Sequence, residues 1–159
     1  MNPPPPASGE AHAVKCELAG EVLRSSGALR LRVMGWSMLP AVWPGDTLVI
    51  ERVESGAVSE GDIILFERDR RLFAHRVVTK SSPAGDTKIL TRGDAMPQPD
   101  PPLSERDMLG KVTSVVRNGK CIEPSRTPRF SERAVAALVR NSEIAARVVV
   151  GVHGMRQTS

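Results

Sequence analysis

Ser37 lies in the run Gly35-Trp36-Ser37-Met38-Leu39-Pro40, which is followed closely by Trp43-Pro44-Gly45-Asp46. A serine becomes a nucleophile when a neighbouring base takes its proton and a third group orients that base. Of the three histidines, His12 sits in a proline-rich arm and His153 near the end of the chain. His75 sits in Phe73-Ala74-His75-Arg76-Val77-Val78, a run of strand character. An imidazole ionises near neutrality, so it can act as a base without the several-unit shift that a lysine needs. Two acids compete for the orienting role: Asp94 in Leu90-Thr91-Arg92-Gly93-Asp94, and Asp100 six positions further on. The plainer alternatives are a serine in a surface turn and a strand histidine bonded to backbone. Cys16 and Cys121 have neither a CxxC nor a Cys/His metal spacing; one disulfide is the alternative to the plainer reading of two thiols in a reduced compartment. Nucleophilic chemistry of this kind implies neither a metal nor an organic cofactor.

These residues need rigid elements behind them. Residues 29–33 alternate apolar and basic, as a half-buried strand does. Gly35 and Pro40 then impose a fixed bend, which leaves Ser37 on an irregular segment at a strand end, where a nucleophile is both exposed and held. Four Gly-Asp pairs follow, Gly45-Asp46, Gly61-Asp62, Gly85-Asp86 and Gly93-Asp94, and each reads as a turn. Beside them lie β-rich runs at 47–53, 63–66, 72–79, 88–90 and 111–116. Short strands separated by turns predict a mainly β domain of the barrel or sandwich type, not a βαβ sheet. Residues 96–102 contain four prolines, so they form a stiff loop.

The flanks differ. Residues 1–12 read as a disordered, proline-rich arm, and 14–23 as a short amphipathic helix carrying Val14, Leu18, Val22 and Leu23. The predicted division is arm 1–12, β domain with its N-terminal helix 13–128, and amphipathic helical tail 129–159. The tail's helical spacing of Ala134, Leu138, Ala145 and Val149 predicts packing on the β domain. A peripheral membrane contact through 130–152 is the sharper alternative.

The chain has 159 residues, enough for one domain at about 150 residues each. Its 40% apolar and 25% charged residues are ordinary for a globular protein. The aromatics are Trp36, Trp43, Phe66, Phe73 and Phe130, with no tyrosine. The core must therefore be mostly aliphatic, and a base-stacking platform for single-stranded nucleic acid, which needs several exposed aromatics, is not expected. The 22 Lys and Arg against 18 Asp and Glu leave a net charge of +4. These charges are dispersed, so no specific nucleic acid is expected as a partner. The N-terminus shows no secretory pattern and no window is apolar enough to span a bilayer, which predicts a cytoplasmic location.

Taken in order, Ser37-Met38-x-Pro40 with Gly45-Asp46, Gly61-Asp62-Ile63-Ile64, Phe73 to Val78, and Leu90 to Asp94 with Asp100 resemble the boxes of type I signal peptidases. They equally resemble their self-cleaving LexA-like repressor relatives. The resemblance spans Gly35 to Asp100 and extends to about Val112. Most members place a lysine base where this chain has His75. A histidine there resembles the subtype of endoplasmic reticulum, archaea and some bacteria, whose catalytic group is Ser, His and Asp.

The resemblance implies a serine endopeptidase of signal-peptidase-like fold, with Ser37 as nucleophile, His75 as base and Asp100 as orienting acid. Asp94 would be a structural, turn-capping residue, and Met38, Pro40, Gly45, Asp46, Arg76 and Gly93 framework positions of the boxes. Many signal peptidases have a hydroxyl residue where this chain has Gly35, so the oxyanion donors would be backbone N–H groups, that of Ser37 foremost, with Gly35 shaping the pocket. The partner implied is a peptide or protein precursor in extended form, pairing with a strand edge and offering small residues to shallow pockets. A membrane anchor, usual in signal peptidases, is not expected here. The rival readings are a self-processing LexA-like regulator and a catalytically silent peptide-binding module.

Overall fold

The computed structural model describes residues 8–82 and 86–127. Helix α1 (Ser8–Ser26) comes first. It is longer than the apolar pattern predicts, and it takes residues 8–12 out of the expected arm. Ala11 and Ala13 are strong helix formers, and Glu10 complements the dipole in the first turn. The buried stripe also differs from expectation. Cys16, Ala19 and Leu23 face the sheet, whereas Val14 and Leu18 are exposed. The Ser25 and Ser26 hydroxyls donate to the Glu21 and Val22 carbonyls, and Gly27, at φ 74°, closes the helix through its N–H to the Leu23 carbonyl, 3.1 Å.

The rest is mainly β: β1 (Ala28–Arg32), β2 (Thr47–Glu51), β3 (Ile63–Arg68), β4 (Arg71–Ser81), β5 (Lys88–Arg92), β6 (Leu103–Ser104), β7 (Met108–Arg117) and β8 (Lys120–Ile122). All pairings are antiparallel, in the order β1-β2-β7-β3-β4-β5-β6, with β8 added on β7. The five β-rich runs of the sequence fall on β2, β3, β4, β5 and β7.

The centre of the sheet is covered on both sides. Successive strand residues point to opposite faces. Ile63 and Leu65 of β3 accordingly join Leu23, Met38, Leu48, Ile50, Val112 and Val115 in one apolar cluster. Ile64 and Phe66 join Val58, Val77, Ile89 and Leu103 in the other. A strand buried on both faces needs a continuous apolar run, and Ile63-Ile64-Leu65-Phe66 supplies one. A tight turn with Asp69 and Arg70 at φ 51° and 59° joins β3 to β4. Its register sets Phe73 opposite Phe66 and His75 opposite Ile64.

Among the described residues no helix is long and apolar enough to cross a membrane. The predicted tail 129–159, its membrane contact through 130–152, and residues 1–7 of the arm lie outside the described residues.

Candidate active site

Ser37 follows β1 on a segment of turns whose apolar side chains act as anchors. Met38, Leu39 and Val42 are buried, and the Val42 N–H donates to the Met38 carbonyl, 3.0 Å. The Leu39–Pro40 peptide is cis. Val33 and Gly45-Asp46 close the base of the excursion, with the Val33 N–H on the Asp46 carbonyl and the Gly45 N–H on the Val33 carbonyl. Asp46 then ties three parts together. Its Oδ2 accepts from the Trp43 N–H at 2.8 Å, and its carboxylate pairs with Arg117 of β7 at 2.7 Å. Arg117 also donates to the Ala41 carbonyl. The Ser37 carbonyl is held in turn by the Ala95 N–H, 2.9 Å.

His75 comes from the middle of β4, on the face that carries Phe73 two residues earlier. Its side chain is 5% exposed. Phe66 and Phe73 each lie 5.8 Å from the imidazole, Phe66 edge-on and Phe73 tilted, and they stack on one another at 5.6 Å. The ring therefore has apolar walls that limit its rotation. Its two nitrogens make the two bonds that matter. Nδ1 is 2.7 Å from Asp100 Oδ2, and Nε2 is 3.0 Å from Ser37 Oγ. With the Nδ1 proton donated to the carboxylate, Nε2 is the acceptor for the Ser37 hydroxyl.

Asp100 is held by β5. Its N–H donates to the Thr91 carbonyl, 2.8 Å, and its Oδ2 accepts from Thr91 Oγ1, 2.7 Å. Burial by itself would raise its pKa. Hydrogen bonds from His75 and Thr91, with the charges of His75 and Arg68, outweigh that and keep the carboxyl below its usual range. The carboxylate is therefore ionised at neutral pH.

Asp94 lies apart from this chain of bonds. The expected turn cap is not what its carboxylate does. Arg76 follows His75 on β4 and so points to the other face, where Nε and Nη2 donate to the two Asp94 oxygens at 2.8 and 2.7 Å. Arg76 Nη1 donates to the Gly61 and Ser125 carbonyls. A strong neighbouring fork of donors thus outcompetes local turn bonding. Asp62, in the Gly61-Asp62 turn, both caps and pairs. It accepts from the Ser59 N–H and meets Lys111 and Arg126.

The arrangement brings Ser37, His75 and Asp100 together, and it sets Gly93-Asp94 and Arg76 behind them as supports. Gly35 adjoins the segment in open space, where a Cβ would meet nothing within 4 Å. Thr91, Phe66, Phe73, Ala95 and Arg117 also shape the site, and their roles were not apparent from sequence. The signals were the alternation that puts Phe73 and His75 on one face, and the presence of Thr91 inside the Gly93-Asp94 box. No cluster of His, Cys, Asp and Glu among the described residues could hold a metal ion.

Chemically, the site can take a proton from Ser37 Oγ onto Nε2 while the carboxylate stabilises the resulting imidazolium. No curated protein matches the chain. The model of the Peptidase S24-like family matches residues 6–113, a span that takes in α1, ends partway along β7 and includes Ser37, His75 and Asp100. The chain therefore belongs to the Peptidase S24-like family, within the LexA-like serine peptidase superfamily.

Proposed function

We propose that this protein is a serine endopeptidase that cleaves an extended peptide or protein precursor in the manner of signal peptidase I. The observation that carries the reading is the unbroken chain from Ser37 Oγ through both imidazole nitrogens to Asp100 Oδ2, at 3.0 and 2.7 Å. Ser37 Oγ attacks the peptide carbonyl as His75 Nε2 takes its proton. Asp100 holds the imidazolium. The imidazolium protonates the leaving amine, and water then releases the acyl group by the reverse roles. The Ser37 N–H, which makes no hydrogen bond among the described residues, is the oxyanion donor. Lys80, the one lysine of β4, supports histidine as the base, because its Nζ donates to the Ser55 and Val58 carbonyls away from the site. The substrate pairs with β1, which ends the strand order at one edge and leads directly to Ser37.

A covalent serine probe should label the wild type stoichiometrically and leave Ser37→Ala unlabelled at equal folded fraction. Labelling that survives Ser37→Ala moves the nucleophile elsewhere. Absence of labelling in the wild type leaves a peptide-binding module. The family match favours one further reading, self-processing. Intact mass after incubation of the protein alone separates it from cleavage in trans, since only self-processing yields a defined new terminus without added substrate.

A further inference from the structure

We infer that Thr91 is a positioning residue that sets the orienting acid, and that its hydroxyl, more than its bulk, is what the site requires. The inference rests on the proposed Ser37–His75–Asp100 mechanism. Asp100 stands in the run Pro99-Asp100-Pro101-Pro102. Proline has no N–H, so across these four residues only the Asp100 amide can donate to the sheet. It donates to the Thr91 carbonyl at 2.8 Å. The side chain of the same threonine returns a bond, Oγ1 to Asp100 Oδ2 at 2.7 Å. Backbone and carboxylate of the acid are thus fixed by one residue.

The oxygen involved is the one that His75 Nδ1 approaches at 2.7 Å. Two donors converging on Oδ2 fix the carboxylate's rotation, so its bond to the imidazole is made in one orientation only. Thr91 can do this because it is fixed itself. It is 0% exposed and lies opposite Val77 in the β4–β5 ladder, and its β-branch restricts χ1. Arg68 secures the far side of the loop, with Nη2 donating to the Pro101 carbonyl at 2.6 Å.

A purely structural threonine would cost activity only as far as it costs folding. The test compares Thr91→Val, which removes the hydroxyl and keeps the branch, with Thr91→Ser, which keeps the hydroxyl and removes the methyl. Turnover is measured on fully folded protein well below each Tm. Thr91→Val should lower kcat by about tenfold or more with KM little changed, while Thr91→Ser stays within about threefold of wild type. In an Asp100→Asn background, Thr91→Val should have little further effect, because the acid it positions is already gone. If Thr91→Val does not fold, Thr91→Ala carries the same comparison.

A second readout does not depend on turnover. The low-field proton resonance of His75 Nδ1–H should persist in Ser37→Ala and in Thr91→Ser, and be lost or broadened in Thr91→Val. Wild-type kcat in Thr91→Val with the resonance intact overturns the inference, as does an equal loss in Thr91→Ser. Failure of the probe to label wild-type Ser37 while the resonance still depends on the Thr91 hydroxyl would instead overturn the catalytic reading and leave the clamp.

Discussion

A Cβ placed on Gly93 would stand 2.6 Å from the Ser37 carbonyl oxygen and 3.1 Å from Ser37 Cβ. The turn after β5 therefore lies directly against the backbone of the proposed nucleophile, and the Ala95 N–H two residues on holds that same carbonyl. Since Asp94 is locked to Arg76, the turn cannot easily withdraw.

Gly93→Ala should consequently push the Ser37 segment out of reach of His75. A loss of kcat of about tenfold or more is expected, with a stability cost of about 1–3 kcal/mol from the overpacked contact. Gly35→Ala is the control for folding. A Cβ at Gly35 meets nothing within 4 Å, so its Tm should match wild type. Thermal melts with steady-state kinetics check both. Full activity in Gly93→Ala would mean that the contact does not position Ser37.

The two acids should separate by what each change costs. Asp100→Asn keeps the size of the side chain but can neither stabilise the imidazolium nor enforce the tautomer. Turnover should fall by about 10²-fold or more in a protein that remains folded. Asp94→Asn removes one partner of a buried ion pair, whose Arg76 and Asp94 side chains are 10% and 8% exposed. The charge left behind should cost about 3 kcal/mol in stability, with activity following the folded fraction. A folded, inactive Asp94→Asn beside an active Asp100→Asn would reassign the acid.

Much of this was legible in the sequence, for physical reasons that also mark where legibility stopped. Alternation and turn residues located β2, β3, β4, β5 and β7, because strand period and Gly-Asp turns are local properties. The order of boxes pointed to Ser37, His75 and Asp100, which the fold brings within hydrogen-bonding distance. Strand β8 was not anticipated, although Asn118-Gly119, with φ 50° and 73°, is the strongest short hairpin signal in the chain. The Asp69-Arg70 turn carries no such signal, and tertiary pairing imposes its backbone. The buried face of α1 differs from the apolar spacing because the large Val14 and Leu18 dominate that pattern, whereas the small apolar Cys16 and Ala19 are the residues that pack, with Leu23, against the sheet. The roles of Thr91 and Arg76 depend on which residues lie across a ladder or a loop. That is set by register and cannot be read from either residue's neighbours.

The two thiols should behave very differently. Cys121 is exposed and Cys16 buried, and both are free. Burial pushes the Cys16 thiol pKa up, and the negative charges of Glu67 and Glu17 push it further, so it combines poor access with little thiolate. A disulfide-exchange reagent should label one equivalent quickly in native protein and the second only on unfolding. Cys121→Ser should abolish the fast phase. Rapid labelling of both would mean that α1 opens readily from the sheet.

Stability should decline in acid through two carboxylates in particular. Asp62 and Asp100 are both held below the usual value of 3.8 in the folded protein. At Asp62, burial works upward but is outweighed by the Lys111 hydrogen bond, the Ser59 N–H and the charges of Lys111 and Arg126. Above the usual value both groups are ionised in the folded and unfolded chains, and their stabilisation is fully present. As the pH falls through it, the unfolded chain takes up protons first. The stabilisation therefore shrinks, and it is gone once the pH has passed below the folded values. Tm should thus hold near neutrality and drop steeply as the pH falls below about 4. Asp62→Asn isolates one contribution without touching Ser37, His75 or Asp100. It should melt lower than wild type at neutral pH, because Lys111 and Arg126 lose their partner, and show a shallower acid decline, so that the two curves converge at low pH. Parallel curves with a constant gap would show that Asp62 takes up no proton over that range.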